Sequence, residues 1–143
     1  MKQFRFFFIA ITFLFFACSK GGDTTSSTPT PTPTPPAAEA AVAFSVNVDP
    51  GTGNILGVVG TSQPINVKVS SAIPASGITI SVIVTKDVDN STVFSTSTSS
   101  VAADNNFTIT GLTPGVLCTA NVLVTSKSTL TNSKALSFKL AAK

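Results

Sequence analysis

The chain has no histidine, no tyrosine and no tryptophan, and only 10% of its 143 residues are charged. Histidine is the usual proton acceptor near neutral pH. Without it, a serine or cysteine nucleophile would need an unusual lysine or carboxylate base. Paired-carboxylate chemistry is poorly supplied as well, because between residues 41 and 143 the acids are Asp49, Asp87, Asp89 and Asp104, all in predicted loops. The chain is therefore expected not to be an enzyme. Sugars are commonly stacked on exposed Trp or Tyr, and the phenylalanines of 41–143 fall on core-facing phases, so an aromatic sugar platform is disfavoured.

Cysteine and charge are just as sparse. With two cysteines, Cys18 and Cys118, an internal disulfide within 41–143 has no pair to form it. Cys118 falls in phase with Ala120 and Val122 and reads as a small buried hydrophobe. A reactive thiol is the alternative, and it lacks a histidine to activate it. The formal net charge of +3 includes Lys2 and Arg5; without them seven lysines face six acids. Those lysines are scattered, whereas a phosphate-binding surface needs them clustered, so no nucleic-acid partner is expected.

What is present begins at the N-terminus, where Met1-Lys2-Gln3-Phe4-Arg5 precedes the apolar run Phe6 to Phe16 and then Ala17-Cys18-Ser19-Lys20-Gly21-Gly22-Asp23. Two cationic residues, about a dozen apolar ones and a small residue before cysteine have the layout of a secretory signal, residues 1–17. A spanning helix needs about 20 apolar residues, and polar residues arrive too early here. The Ala17-Cys18 junction resembles that of bacterial lipoproteins, in which the cysteine thiol receives diacylglycerol. Plain secretory cleavage is the other reading. The resemblance implies lipid attachment at Cys18, a palmitate-type acylation, and anchoring without spanning, since two or three acyl chains hold a protein stably at a membrane. Ser19 after the cysteine is similar to outer-membrane sorting, and Cys18 to Asp23 resembles the start of Bacteroidota-type surface lipoproteins. Cell-surface exposure is thus expected ahead of a periplasm-facing orientation.

Residues 18–40 form the expected linker, and from Asp23 to Ala40 the composition turns to threonine, serine and proline, centred on Thr28-Pro29-Thr30-Pro31-Thr32-Pro33-Thr34-Pro35-Pro36. Proline fixes φ and biases the residue before it towards extended conformations, so a semi-rigid spacer is predicted, reaching roughly 50 Å over Thr24 to Ala40 at about 3.1 Å per residue. Asp23-Thr24-Thr25 resembles the Bacteroidota O-glycosylation motif and marks Thr24 as a candidate acceptor.

Residues 41–143 can hold one core of about one hundred residues. Their hydrophobic period is two: Phe44, Val46 and Val48; Ile65, Val67 and Val69; Ile78, Ile80, Val82 and Val84; Phe107 and Ile109; Cys118, Ala120, Val122 and Val124; Leu136, Phe138 and Leu140. A weaker candidate surrounds Val93 and Phe94. Turn signals such as Asp49-Pro50-Gly51, Asp87 to Asn90 and Thr113-Pro114-Gly115 separate the runs, and no stretch suits a helix. Seven short strands without helical crossovers predict an all-β, antiparallel, immunoglobulin-like β-sandwich.

The segment Phe107-Thr108-Ile109-Thr110-Gly111-Leu112-Thr113-Pro114-Gly115-Val116-Leu117-Cys118-Thr119-Ala120-Asn121-Val122 resembles the corner between strands E and F of fibronectin type III and related bacterial immunoglobulin-like domains. In that family a tyrosine opens strand F; Cys118 stands in its place here, and the family's strand-B tryptophan is missing.

Two local candidates follow. In the fibronectin-like strand order Asp49 would share a pole with Asp87, Asp89 and Asn90, and the oxygens of these four could ligate calcium. Ordinary turn chemistry explains the same residues. Ile83 and Leu123 fall out of phase with their core-facing neighbours and would form an apolar pair on the outer face of one sheet, able to seat a partner. The chain is thus expected to be a surface lipoprotein presenting a non-catalytic module for adhesion, with a protein or glycan ligand. The alternative is a structural spacer or subunit of an envelope assembly.

Overall fold

The structure, a computed structural model, describes residues 37–143. The signal segment 1–17, Cys18, Thr24 and the Thr-Pro run lie outside the described residues. The described residues belong to one compact unit.

The described chain is all-β: β1 (Phe44–Val46), β2 (Ile55–Val58), β3 (Gln63–Val69), β4 (Ile78–Lys86), β5 (Thr92–Ser100), β6 (Asp104–Ile109), β7 (Leu117–Ser126) and β8 (Ser133–Ala142). Two sheets form, with orders β1-β3-β6 and β2-β8-β7-β4-β5. The alternation places one residue of each pair inward. Ile65, Val67 and Val69 of the smaller sheet and Ile78, Ile80, Val82, Val84, Val122, Val124 and Leu140 of the larger are all buried and belong to one hydrophobic cluster. Such β-branched side chains suit a pleated, half-buried surface, which is why these runs become strands.

The expectation of seven antiparallel strands is corrected on two points. The described residues form eight strands, and β2 runs parallel to β8, with Ile55 opposite Lys139 and Val58 opposite Ala142. The eighth arises because the chain between β1 and β3 crosses from the edge of one sheet to the edge of the other. Having left β1 beside β3, it pairs again before returning as β3. Its four residues include Gly57 and bury only Val58, so the alternation is too short to read. Asp104, expected in a loop, opens β6 opposite Lys68.

The two ends of the domain differ. At one end, here the base, the chain enters: Ala40 O and Glu39 Oε1 accept hydrogen bonds from Asn132 Nδ2 in the β7–β8 loop, each at 2.8 Å. The opposite end, here the tip, gathers the β4–β5 turn, the end of β2 and the start of β7. Asp87 N donates to Leu117 O at 3.0 Å, and Lys143 N to Val58 O at 2.9 Å. At the tip turn Asn90 adopts φ of 57°, a left-handed conformation that asparagine tolerates better than most residues.

Candidate functional site

At the tip, β4 delivers Asp87 beside Thr119 of β7 and Lys139 of β8. Thr119 Oγ1 donates to Asp87 Oδ1 at 2.6 Å and accepts from Lys139 Nζ at 2.9 Å, while Lys139 also pairs with Asp87 Oδ2. The Lys139 hydrogen bond, with Thr119 after it, holds the Asp87 carboxyl below the usual carboxylate range. Asp89 is likewise lowered, first by the Ser91 hydroxyl at 2.6 Å and then by the Ser91 N–H at 2.9 Å. Asp49 caps its own turn, accepting from Gly51 N at 3.0 Å.

The structure therefore brings Asp87, Asp89 and Asn90 into one turn and leaves Asp49 in the separate β1–β2 crossing. Each of the three carboxylates already accepts from a neighbouring donor. Among the described residues no group of three or more His, Cys, Asp or Glu side chains is placed to hold a metal ion.

Ile83 and Leu123 do share a face. Ile83 lies opposite Asn121 and Leu123 opposite Ser81, so the two are diagonal neighbours on β4 and β7. They are 39% and 41% exposed. Their surroundings on that outer face are small and hydroxylated: Ser95 and Ser97 of β5, Ser81 of β4, Thr125 of β7 and Ala135 and Ser137 of β8. Cys118 is buried, and burial raises its thiol above the ordinary range, with the Asp87 charge adding to the shift. A thiol held in that state is a poor nucleophile.

Two arrangements had no clear sequence signal. The first is Glu39, the sole glutamate, at the close of the Thr/Pro-rich segment. Ser128 Oγ donates to Glu39 Oε2 at 2.6 Å, and Ser126, a fully buried polar residue, backs Ser128 with an Oγ–Oγ distance of 2.9 Å. The hydroxyls of Ser126 and Ser128 lead in lowering the Glu39 carboxyl to about 2; Thr129 and Asn132 add to the effect. A lone acid between a proline run and the first strand was the available hint.

The second is a row of asparagines across the outer face of the smaller sheet. Asn66 Nδ2 donates to Asn106 Oδ1 at 2.9 Å and Asn66 N to Asn47 Oδ1 at 2.8 Å. With Pro64, Ile65, Phe107 and Thr108 they line an open concavity of about 310 Å³. Its chemistry is neutral, with amides and one hydroxyl beside a proline ring and a phenylalanine, which suits hydroxyl- or amide-bearing ligands and presents no formal charge. Only alignment of three strands brings these residues to one level, so sequence spacing could not reveal them.

No protein-family model matches the chain, and no curated protein matches it. Among solved structures, the sensor domain of the anti-sigma factor RsgI4 in Pseudobacteroides cellulosolvens is similar, with a TM-score of 0.45 and 22% identity over 74% of this chain and 100% of that one.

Proposed function

We propose that this chain is a lipid-anchored surface protein whose immunoglobulin-like β-sandwich, of fibronectin type III kind, serves as a non-catalytic adhesion or binding module. In this reading Cys18 carries the acyl chains, the Thr/Pro segment is the stalk, and β4 and β7 take the places of strands C and F. The observation that carries it is the joint at the base. Glu39 and Ala40 are bonded to Asn132, so the domain is gripped at one end while its tip, its two outer faces and the asparagine-lined concavity stay open. A module that is held at one pole and uncharged over most of its open surface suits contact with neutral polymers or protein surfaces. The hydroxyl-rich face around Ile83 and Leu123 and the amide row are the two contact surfaces on offer.

The test is made on cells expressing the full chain. Metabolic labelling with a palmitate analogue should mark the protein and be lost on Cys18→Ala, and protease added outside intact cells should release 37–143. A product that is unlabelled and shed into the medium would sink the anchor. A fully protected one would place the domain inside the envelope and favour the assembly role.

A further inference from the structure

Asn47, Asn66 and Asn106 stand side by side across the outer face of the smaller sheet, whose strand order is β1-β3-β6. Asparagine is depleted in strands, where threonine or valine fits the pleat better. One of the three serves the fold. Beyond the end of β1 at Val46, Asn47 N donates to Asn66 O at 3.1 Å and its Oδ1 accepts from Asn66 N at 2.8 Å, which prolongs the ladder by one residue. The other two share one exposed amide–amide bond, which adds little to stability.

The ends that these bonds leave over form a pattern. Asn47 Oδ1 is turned to the backbone, so its Nδ2 is the end left for a ligand. Asn66 gives its amino end to Asn106 Oδ1, which leaves Asn66 Oδ1 and Asn106 Nδ2. None of these three atoms bonds to another described residue. Donor, acceptor and donor thus follow one another across three neighbouring strand positions, at about 4.7–4.9 Å per step. Towards the tip, Pro64 and Thr108 stand opposite each other on the same face, both exposed; towards the base, Lys68 stands opposite Asp104, so the flanking charges are of opposite sign.

We infer that this concavity is a saccharide subsite that takes a short stretch of an uncharged glycan. The inference rests on the binding role proposed above and names the ligand class for one of its two surfaces. A hydroxyl both donates and accepts and rotates to suit, so neighbouring hydroxyls on a sugar ring satisfy an alternating row whichever end comes first. An extended peptide instead repeats its donor–acceptor sets on one side every second residue, about 6.6–6.8 Å apart, out of step with the row. No charged side chain lines the concavity, so nothing there would select a carboxylate, a phosphate or an ammonium group. The Pro64 ring and the Thr108 methyl give the C–H side of a sugar ring a small apolar rest, which dispenses with tyrosine and tryptophan. A volume of about 310 Å³ lies at the lower end of small-ligand sites, roughly 300–1,000 Å³. Each bond competes with water, so one site should bind with a Kd on the order of 1 mM, and a polymer is held by many copies acting together.

The test is a titration of the full chain, in micelles of a detergent without a sugar headgroup, followed through the side-chain amide NMR signals of the asparagines. Cellobiose and chitobiose are the probes, and trialanine blocked at both ends is the peptide control. Both sugars should shift the Nδ2 signals of Asn47 and Asn106 below about 50 mM, while Asn132, bonded at the base, stays unmoved. Asn66→Thr and Asn106→Thr each break only the side-chain bond between the two. Read at Asn47, either should raise the Kd roughly three- to tenfold with an unchanged urea midpoint. Signals that stay still with both sugars, shift equally in the variants, or move further with the peptide would overturn the inference. The titration needs neither lipid at Cys18 nor cells, so a failed anchor leaves it standing. A domain that ignores sugars yet still adheres through Ile83 and Leu123 removes the subsite and keeps the adhesive role.

Discussion

Glu39 Oε1 and Asn132 Nδ2 lie 2.8 Å apart although 93 positions separate them in the chain. Asn132 uses both ends of its amide there. Its Nδ2 also reaches Ala40 O, and its Oδ1 accepts from Val42 N at 2.9 Å. One side chain of the β7–β8 loop thus grips positions 39, 40 and 42 of the incoming segment.

That joint should be acid-sensitive. The Glu39 carboxyl is lowered from 4.5 to about 2, chiefly by the Ser126 and Ser128 hydroxyls. A folded-state value below the unfolded one means that the stabilisation is present above about 4.5 and is lost as pH falls from there towards 2. The protection of Val42 N, taken against its intrinsic exchange rate at each pH, should fall over that interval, and Glu39→Gln should remove the dependence. Protection that stays constant down to pH 2 would contradict the bonding described.

Gly77 is the glycine least able to take a side chain. It has φ of +82°, and a Cβ there would stand 2.6 Å from Ser100 O, a backbone atom. Gly60 shares the left-handed conformation, with φ of +84°, but has open space around it. Urea denaturation should therefore show Gly77→Ala costing about 3 kcal/mol and Gly60→Ala about 1 kcal/mol.

Cys118 should be inert. Its burial and raised thiol predict that iodoacetamide at pH 8 leaves it unmodified in the folded protein and labels it fully in denaturant. Labelling at equal rates in both states would mean that β7 opens far more readily than its packing implies.

Ile83 and Leu123 should be dispensable for stability. Each is substantially exposed, so Ile83→Thr and Leu123→Thr should change unfolding free energy by no more than about 0.5 kcal/mol each. Ile80, fully buried on the inner face of the same strand as Ile83, should cost about 2–5 kcal/mol as Ile80→Ala. If the double threonine variant keeps its stability and also keeps its capture of partners from the cell surface, the apolar pair has no part in binding.

The strands that face the core on one side were legible in the sequence, because Ile65-Val67-Val69 and Ile78-Ile80-Val82-Val84 write the pleat into the hydrophobic pattern. β2 was not, since four residues with a glycine carry too little alternation and its partner β8 lies some eighty positions away. β5 was read only around Val93 and Phe94; the remaining Ser/Thr residues lie on an edge, where the inner phase meets little core, and so leave no apolar trace. Outward projection of Ile83 and Leu123 followed from phase alone. The Glu39 joint and the asparagine row did not, because each is made by residues that only long-range pairing brings together.

β8 lies between β2 and β7, yet it follows the other seven described strands in the chain. Until it emerges, β2 has no neighbour and the larger sheet is split. Completion of the larger sheet therefore waits on β8, the last of these strands in chain order, and the domain cannot lock before that strand is in place. A version truncated ahead of Ser133 should remain protease-sensitive throughout, however long it is left to mature.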